Sequence, residues 1–116
     1  MATINLNGNE YTLATNLRVA YEVQGQHNHE SYVTLFSKVS EMTIEEQIDI
    51  LYASFRVGNP EDAKTFTREM FRNYILNSND FTASKIMLML RDVMSGILGN
   101  DMIADAEEVA TGEAKN

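Results

Sequence analysis

A mainly α-helical fold, with a small β-hairpin at the N-terminus and an acidic tail at the C-terminus, is what this sequence predicts. Three observations carry that reading. Apolar residues recur every three or four positions over most of the chain, the signature of amphipathic helices. Near the start, a short stretch of apolar–polar alternation is broken by "NGN", Asn7 to Asn9, a strong hairpin signal because Asn and Gly tolerate the positive φ angles of tight turns. In mid-chain, "TIEE" and "GNPED" are helix start and stop signals. The expectation is one helical domain over residues 1–100, with the hairpin packed on a bundle of about five helices. Residues 101–116 are expected to form a disordered acidic tail.

The elements follow in order. Ile4 and Leu6 alternate with polar neighbours, as do Tyr11 and Leu13, so each strand has one face to bury. A two-stranded hairpin is marginal alone and needs apolar support. Thr15 or Asn16 can cap a helix through about Gln24. "GQHNHES", Gly25 to Ser31, is polar and reads as a loop. Glu30 or Ser31 then opens a short helix with an apolar stripe of Tyr32, Leu35, Phe36 and Val39. Thr43 stands three residues before Glu46, a capping box. From it a helix runs to Gly58, with Ile44, Ile48, Leu51, Tyr52 and Phe55 on one face. Asn59 as N-cap and Pro60 at the first position predict the next helix. Its inner stripe is Ala63, Phe66, Thr67, Met70, Phe71, Tyr74 and Ile75, and "NSND" ends it. Asp80 or Thr82 caps the last helix, which runs to about Gly99.

That last helix contains "SKIMLMLRDVMSGIL", Ser84 to Leu98. On a wheel of about 100° per residue, Ile86, Leu90, Val93 and Ile97 form a tight stripe. Met89 flanks it on one side, and Met87, Met94 and Leu98 extend it on the other. The apolar arc is roughly 180°, against the roughly 100° an amphipathic surface helix needs. Leu88 lies outside it, beside Arg91, Asp92 and Ser95. One reading makes this the central helix of the bundle. The other leaves Met87, Met94 and Leu98 as a partner surface, since methionine is flexible, polarisable and suited to adaptable contacts. Ile50 and Val57, off the main stripe of their own helix, extend that candidate surface.

Composition removes several functions. The chain has no cysteine, which excludes disulfides, thiol catalysis and cysteine-based metal sites. A net charge of −8, with nine Lys and Arg scattered along 116 residues, argues against nucleic-acid binding. Arg91 and Asp92 interrupt the richest apolar stretch, so no membrane span is expected. "MATINLNGNEYTL" lacks the basic-then-apolar plan of a signal peptide, and a cytoplasmic location is expected. No GxGxxG, Walker loop, GxSxG or HExxH occurs. His27 and His29, with Glu30, form a metal candidate that lacks a third ligand. Glu45 and Glu46 are explained by the helix cap. Neither catalysis nor a cofactor is expected.

The order of these features resembles a family. "INLNGNEYTL", "NLRVAYEV", "IEEQIDILYASFRVGNP", "EDAKTFTREMF" and a final apolar helix are similar to the tail assembly chaperones of long-tailed phages of Gram-positive bacteria. That family opens with a strand, an "NGKEY"-like turn and a strand, and carries an "LLYAGL"-like segment, here "ILYASF", Ile50 to Phe55. "ASF" in place of "AGL" is a departure. The resemblance covers the chain to about Gly99. It implies a cofactor-free protein of the host cytoplasm, absent from the mature virion, that binds the tape-measure protein and often the tail-tube protein and keeps them soluble before assembly. It also implies a longer frameshifted product, for which Ala114, Lys115 and Asn116 can be encoded by a slippery run. Two alternatives remain at this stage: a structural tail-completion or connector component, and a small acidic regulator of a basic partner. Self-association is compatible with all three.

Overall fold

The computed structural model describes residues 2–26 and 31–99. The expected acidic tail and the pair His27 and His29 lie outside the described residues. Within them the fold is mainly α-helical, with five α-helices and one two-stranded N-terminal hairpin. Strands β1 (Thr3–Leu6) and β2 (Asn9–Thr12) are antiparallel, with Ile4 opposite Tyr11 and Leu6 opposite Asn9. Asn7 and Gly8 have φ of 54° and 84°, both in the left-handed region that a two-residue hairpin turn needs. The inward face of β1, Ile4 and Leu6, is buried together with Ala2 and Leu13.

The helices are α1 (Leu17–Gln26), α2 (Tyr32–Ser37), α3 (Ile44–Gly58), α4 (Arg68–Asn77) and α5 (Ala83–Leu98). Helix α1 runs through Gly25 and Gln26, two residues beyond the expected end. Val39 is buried as expected but belongs to a separate 3-10 turn, Val39–Glu41. At α3 the capping box forms: Thr43 Oγ1 accepts from Glu46 N–H, and Glu46 Oε1 accepts from Thr43 N–H at 2.9 Å.

The centre of the fold is α3, not α5. Ile48 and every residue from Ile50 to Phe55 are buried, because α1, α4, α5 and β2 all pack on this helix. Phe55 is the hub of an aromatic cluster, with Tyr11, Tyr52, Phe66 and Phe71 at ring-centroid distances of 5.3, 5.9, 5.8 and 5.6 Å. Such pairs add about 0.5–1.5 kcal/mol each beyond burial. Helix α5 instead buries one stripe, Ile86, Leu90, Val93 and Met94.

One expected helix is broken. After Gly58 the chain forms a 3-10 turn at Asp62–Lys64, and α4 starts only at Arg68. Phe66 is the reason. Its ring joins the aromatic cluster, and its carbonyl accepts the Tyr52 hydroxyl at 2.9 Å. Thr67 then caps α4 by accepting Met70 N–H.

Helix α3 also holds the hairpin. Ser54, fully buried, donates its hydroxyl to Ala14 C=O at 2.6 Å, and Ala14 N–H donates back to Ser54 C=O at 3.1 Å. Asn59 Nδ2 donates to Thr12 C=O at 2.8 Å. A Cβ on Gly58 would lie 2.6 Å from Thr12 O, so only glycine lets the strand end approach this closely. Asn7 N–H donates to the Tyr74 hydroxyl at 3.0 Å, tying the turn to α4. The serine of "ASF" thus has a definite structural role.

Candidate functional site

The five positions nominated from sequence do not form one surface. Met94 is 1% exposed and Ile50 is 0% exposed, so both are corrected from partner surface to core. The reason is geometric. Helix α5 packs on both α3 and α1, which widens its covered arc beyond the tight stripe and takes in Met94. Helix α3 is enclosed by its neighbours, so an off-stripe residue such as Ile50 is still interior. Met87 and Leu98 are half-buried against the core. Val57 is half-buried too and lines a different region, a cleft with Arg18 and Arg56.

What the fold leaves open is the corner where α4 meets α5. One groove, about 230 Å³, lies among the starts of α3 and α5 and the end of α4. Ile48, Ile75, Phe81 and Ile86 line it, with Gln47, Ser78 and Thr82 as polar groups. Two large apolar side chains in its lining stand out in solvent: Ile44, 60% exposed, and Leu76, also exposed. Ile44 is the first residue of α3, directly after the Thr43 cap, which leaves it beyond the packed part of that helix. A second groove, about 550 Å³, lies between β1 and α5 and is lined by Ile4, Asp80, Phe81, Lys85, Leu88 and Met89. Leu88 is 61% exposed. Phe81 lines both grooves, and its ring is held by an edge contact with Tyr74 at 6.0 Å.

Sequence reasoning placed Ile44 on an inner stripe and assigned no role to Leu76 or Phe81. Leu88 was legible: an unaccompanied leucine on the polar side of a helix wheel is a signal for surface apolarity.

The electrostatics divide the surface. On the α3–α4 face, Arg72 Nε donates to Glu45 Oε1 at 2.7 Å, and Arg68 reaches both Glu45 (3.1 Å) and Asp49 (2.7 Å). Hydrogen bonds from Arg72 and then Arg68 hold the Glu45 carboxyl below its ordinary pKa. Partial burial works against the Arg68 charge, but the bonds to Asp49 and Glu45 outweigh it and raise its pKa. Here two carboxylates match two guanidiniums. Burial pushes the Tyr52 phenol up, consistent with its role as a donor to Phe66. No group of three or more metal-ligating side chains occurs among the described residues, and no described helix is long and apolar enough to cross a membrane.

Comparison with protein-family models, curated proteins and solved structures finds no match.

Proposed function

We propose that this protein is a non-catalytic assembly chaperone of the phage-tail type, which holds an amphipathic helical segment of a tape-measure or tail-tube client before assembly. The observation that supports this reading is the pair of apolar grooves meeting at Phe81, with Ile44, Leu76 and Leu88 exposed along them. Large exposed apolar side chains grouped at grooves mark interaction sites more often than scattered ones do. Helix-in-groove binding needs such a lining, an apolar floor with a few polar groups at its edge. The frame under it is fixed by capped helices and a buried aromatic cluster, so the lining is preformed. The acidic charge of the chain, −8, opposes self-association of the loaded complex.

On this reading Phe81, Leu88, Ile44 and Leu76 are contact residues, and no residue performs bond-making chemistry. Co-expression with the tape-measure protein of the same genome tests it. The expected result is a soluble client that co-elutes with this chain on a sizing column. Because the contact is apolar, co-elution persists as salt is raised. An equally insoluble client with and without the chain overturns the reading.

A further inference from the structure

The hairpin is covered along one edge and open along the other. In an antiparallel pair, residues alternate between those that turn N–H and C=O toward the partner strand and those that turn them away. Leu13 N–H donates to Ala2 C=O at 2.9 Å, and Ile4 and Leu6 stand opposite Tyr11 and Asn9. By that alternation Ala2, Ile4 and Leu6 face β2, and Thr3 and Asn5 turn their N–H and C=O outward. On β2 the outward residues are Glu10 and Thr12. Helix α3 covers that edge at Thr12, whose C=O accepts from Asn59 Nδ2 at 2.8 Å. The edge of β1 has no such cover. The Asn5 side chain is engaged within the turn, where Oδ1 accepts Gly8 N–H at 3.1 Å. Among the described residues, no hydrogen bond reaches the outward backbone groups of Thr3 or Asn5.

This open edge borders the groove of about 550 Å³. Thr3, Ile4 and Asn5 form one wall, and Phe81, Leu88 and Met89 form the apolar part of the other. An unpaired strand edge is a template for another strand. A helix lying in the groove would cover its apolar wall but leave the edge unmet, because a helix bonds its own backbone groups internally. An extended chain brings free N–H and C=O groups to the edge, at the usual strand spacing of about 4.7–4.9 Å. When such a chain pairs with Thr3 and Asn5, its residue opposite Ile4 turns to the same face as Ile4, the apolar side, and the residues before and after it turn away. Asp80 and Lys85 give the groove one charge of each sign, and neither is in an ion pair with another described residue. The occupant that fits is a short alternating segment, apolar opposite Ile4 and polar on either side. The net charge of −8 opposes a second copy in this place.

We infer that the client presents, besides its helix, a short extended stretch that adds to β1 as a third strand. The inference rests on the reading that the client binds at Phe81, and it divides the two grooves between two parts of that client. The helix takes the groove with Ile44 and Leu76. The strand takes the groove between β1 and Leu88. Strand addition draws its affinity from main-chain hydrogen bonds and its selectivity from alternate side chains.

Hydrogen exchange, read residue by residue on the full chain alone and in its co-eluting complex with the tape-measure protein, separates a strand from a helix. The expected result is that the Thr3 and Asn5 amides exchange freely in the chain alone and become protected in the complex. The Ile4 amide, already bonded within the hairpin, should change little. A Thr3→Pro variant removes one outward donor and leaves the β1–β2 ladder intact, since proline is tolerated at the first residue of an edge strand. It should weaken client binding roughly tenfold, the upper range for one lost hydrogen bond. Glu10→Pro, which removes an outward donor from the opposite edge, should not. A complex in which Thr3 and Asn5 exchange as they do in the free chain overturns the inference and leaves the client reading standing. Equal losses of binding in the two proline variants contradict it as well. Failure to form any complex overturns the client reading, and the inference with it. Protection already present in the chain alone, and lost on dilution, would give the edge to a second copy and also overturns it.

Discussion

Ser54, Gly58 and Met94 show how single side chains set this fold. Ser54 sits inside the core, and its hydroxyl satisfies the Ala14 carbonyl at 2.6 Å. Leaving a buried acceptor unpaired costs about 1–3 kcal/mol. Ser54→Ala is therefore expected to lower the denaturation midpoint by a cost of that size, measurable by urea titration. Gly58→Ala pits two effects against each other. Alanine gains about 1 kcal/mol in helix propensity, but its Cβ would meet Thr12 O at 2.6 Å, and overpacking of this kind costs about 1–3 kcal/mol. The clash involves backbone that cannot swing aside, so net destabilisation is expected, and a gain in melting temperature would contradict the close approach. Met94→Asp strands a charge in the core, at about 3–5 kcal/mol, while Leu88→Asp on the surface should stay within about 0.5 kcal/mol. Thermal melts of the two variants side by side separate core from surface on the same helix. The helix wheel could not make that distinction. It orders side chains around an axis but does not say how many neighbours cover the arc.

At the scale of elements, local signals were legible and couplings were not. "NGN", the "TIEE" capping box and Gly58 act over a few residues, and each appears where the chain's own chemistry places it. The break before α4 was not legible, because it depends on Tyr52, fourteen residues away, taking the Phe66 carbonyl. The Thr43 cap should contribute about 0.5–2 kcal/mol, the usual loss when such a residue becomes alanine. The Glu45 network joins α3 to α4 and adds a pH dependence. Since Glu45 has a lowered pKa in the folded state, its contribution is complete above the ordinary glutamate value and is lost as pH falls through the lowered one. Glu45→Gln should therefore melt below the parent chain at neutral pH, with the gap closing under acid. A gap that persists at low pH would mean that the carboxylate charge is not what joins the two helices.

For the whole molecule, the wide apolar arc on α5 was visible in the sequence, whereas α3 showed only one stripe and Ile50 stood off it, so which helix is central was decided only by packing. The candidate site was less legible still. Its lining comes from β1, the starts of α3 and α5, and the end of α4, and such convergence has no linear signature. Leu88 alone was visible beforehand, as an apolar residue on a polar face. The resulting surface has two characters: apolar grooves at Phe81, and a cleft at Arg18, Arg56 and Lys64 where cations and carboxylates pair. The measurement that bears most directly on the proposed client-holding role is co-elution of the tape-measure protein with the parent chain and with an Ile44→Asp/Leu88→Asp variant. Both positions are exposed, so the variant should keep the parent's helical signal and melting temperature. The account predicts that it no longer keeps the client soluble or co-elutes with it. A folded variant that carries the client as well as the parent does would contradict the assignment of the Phe81 grooves.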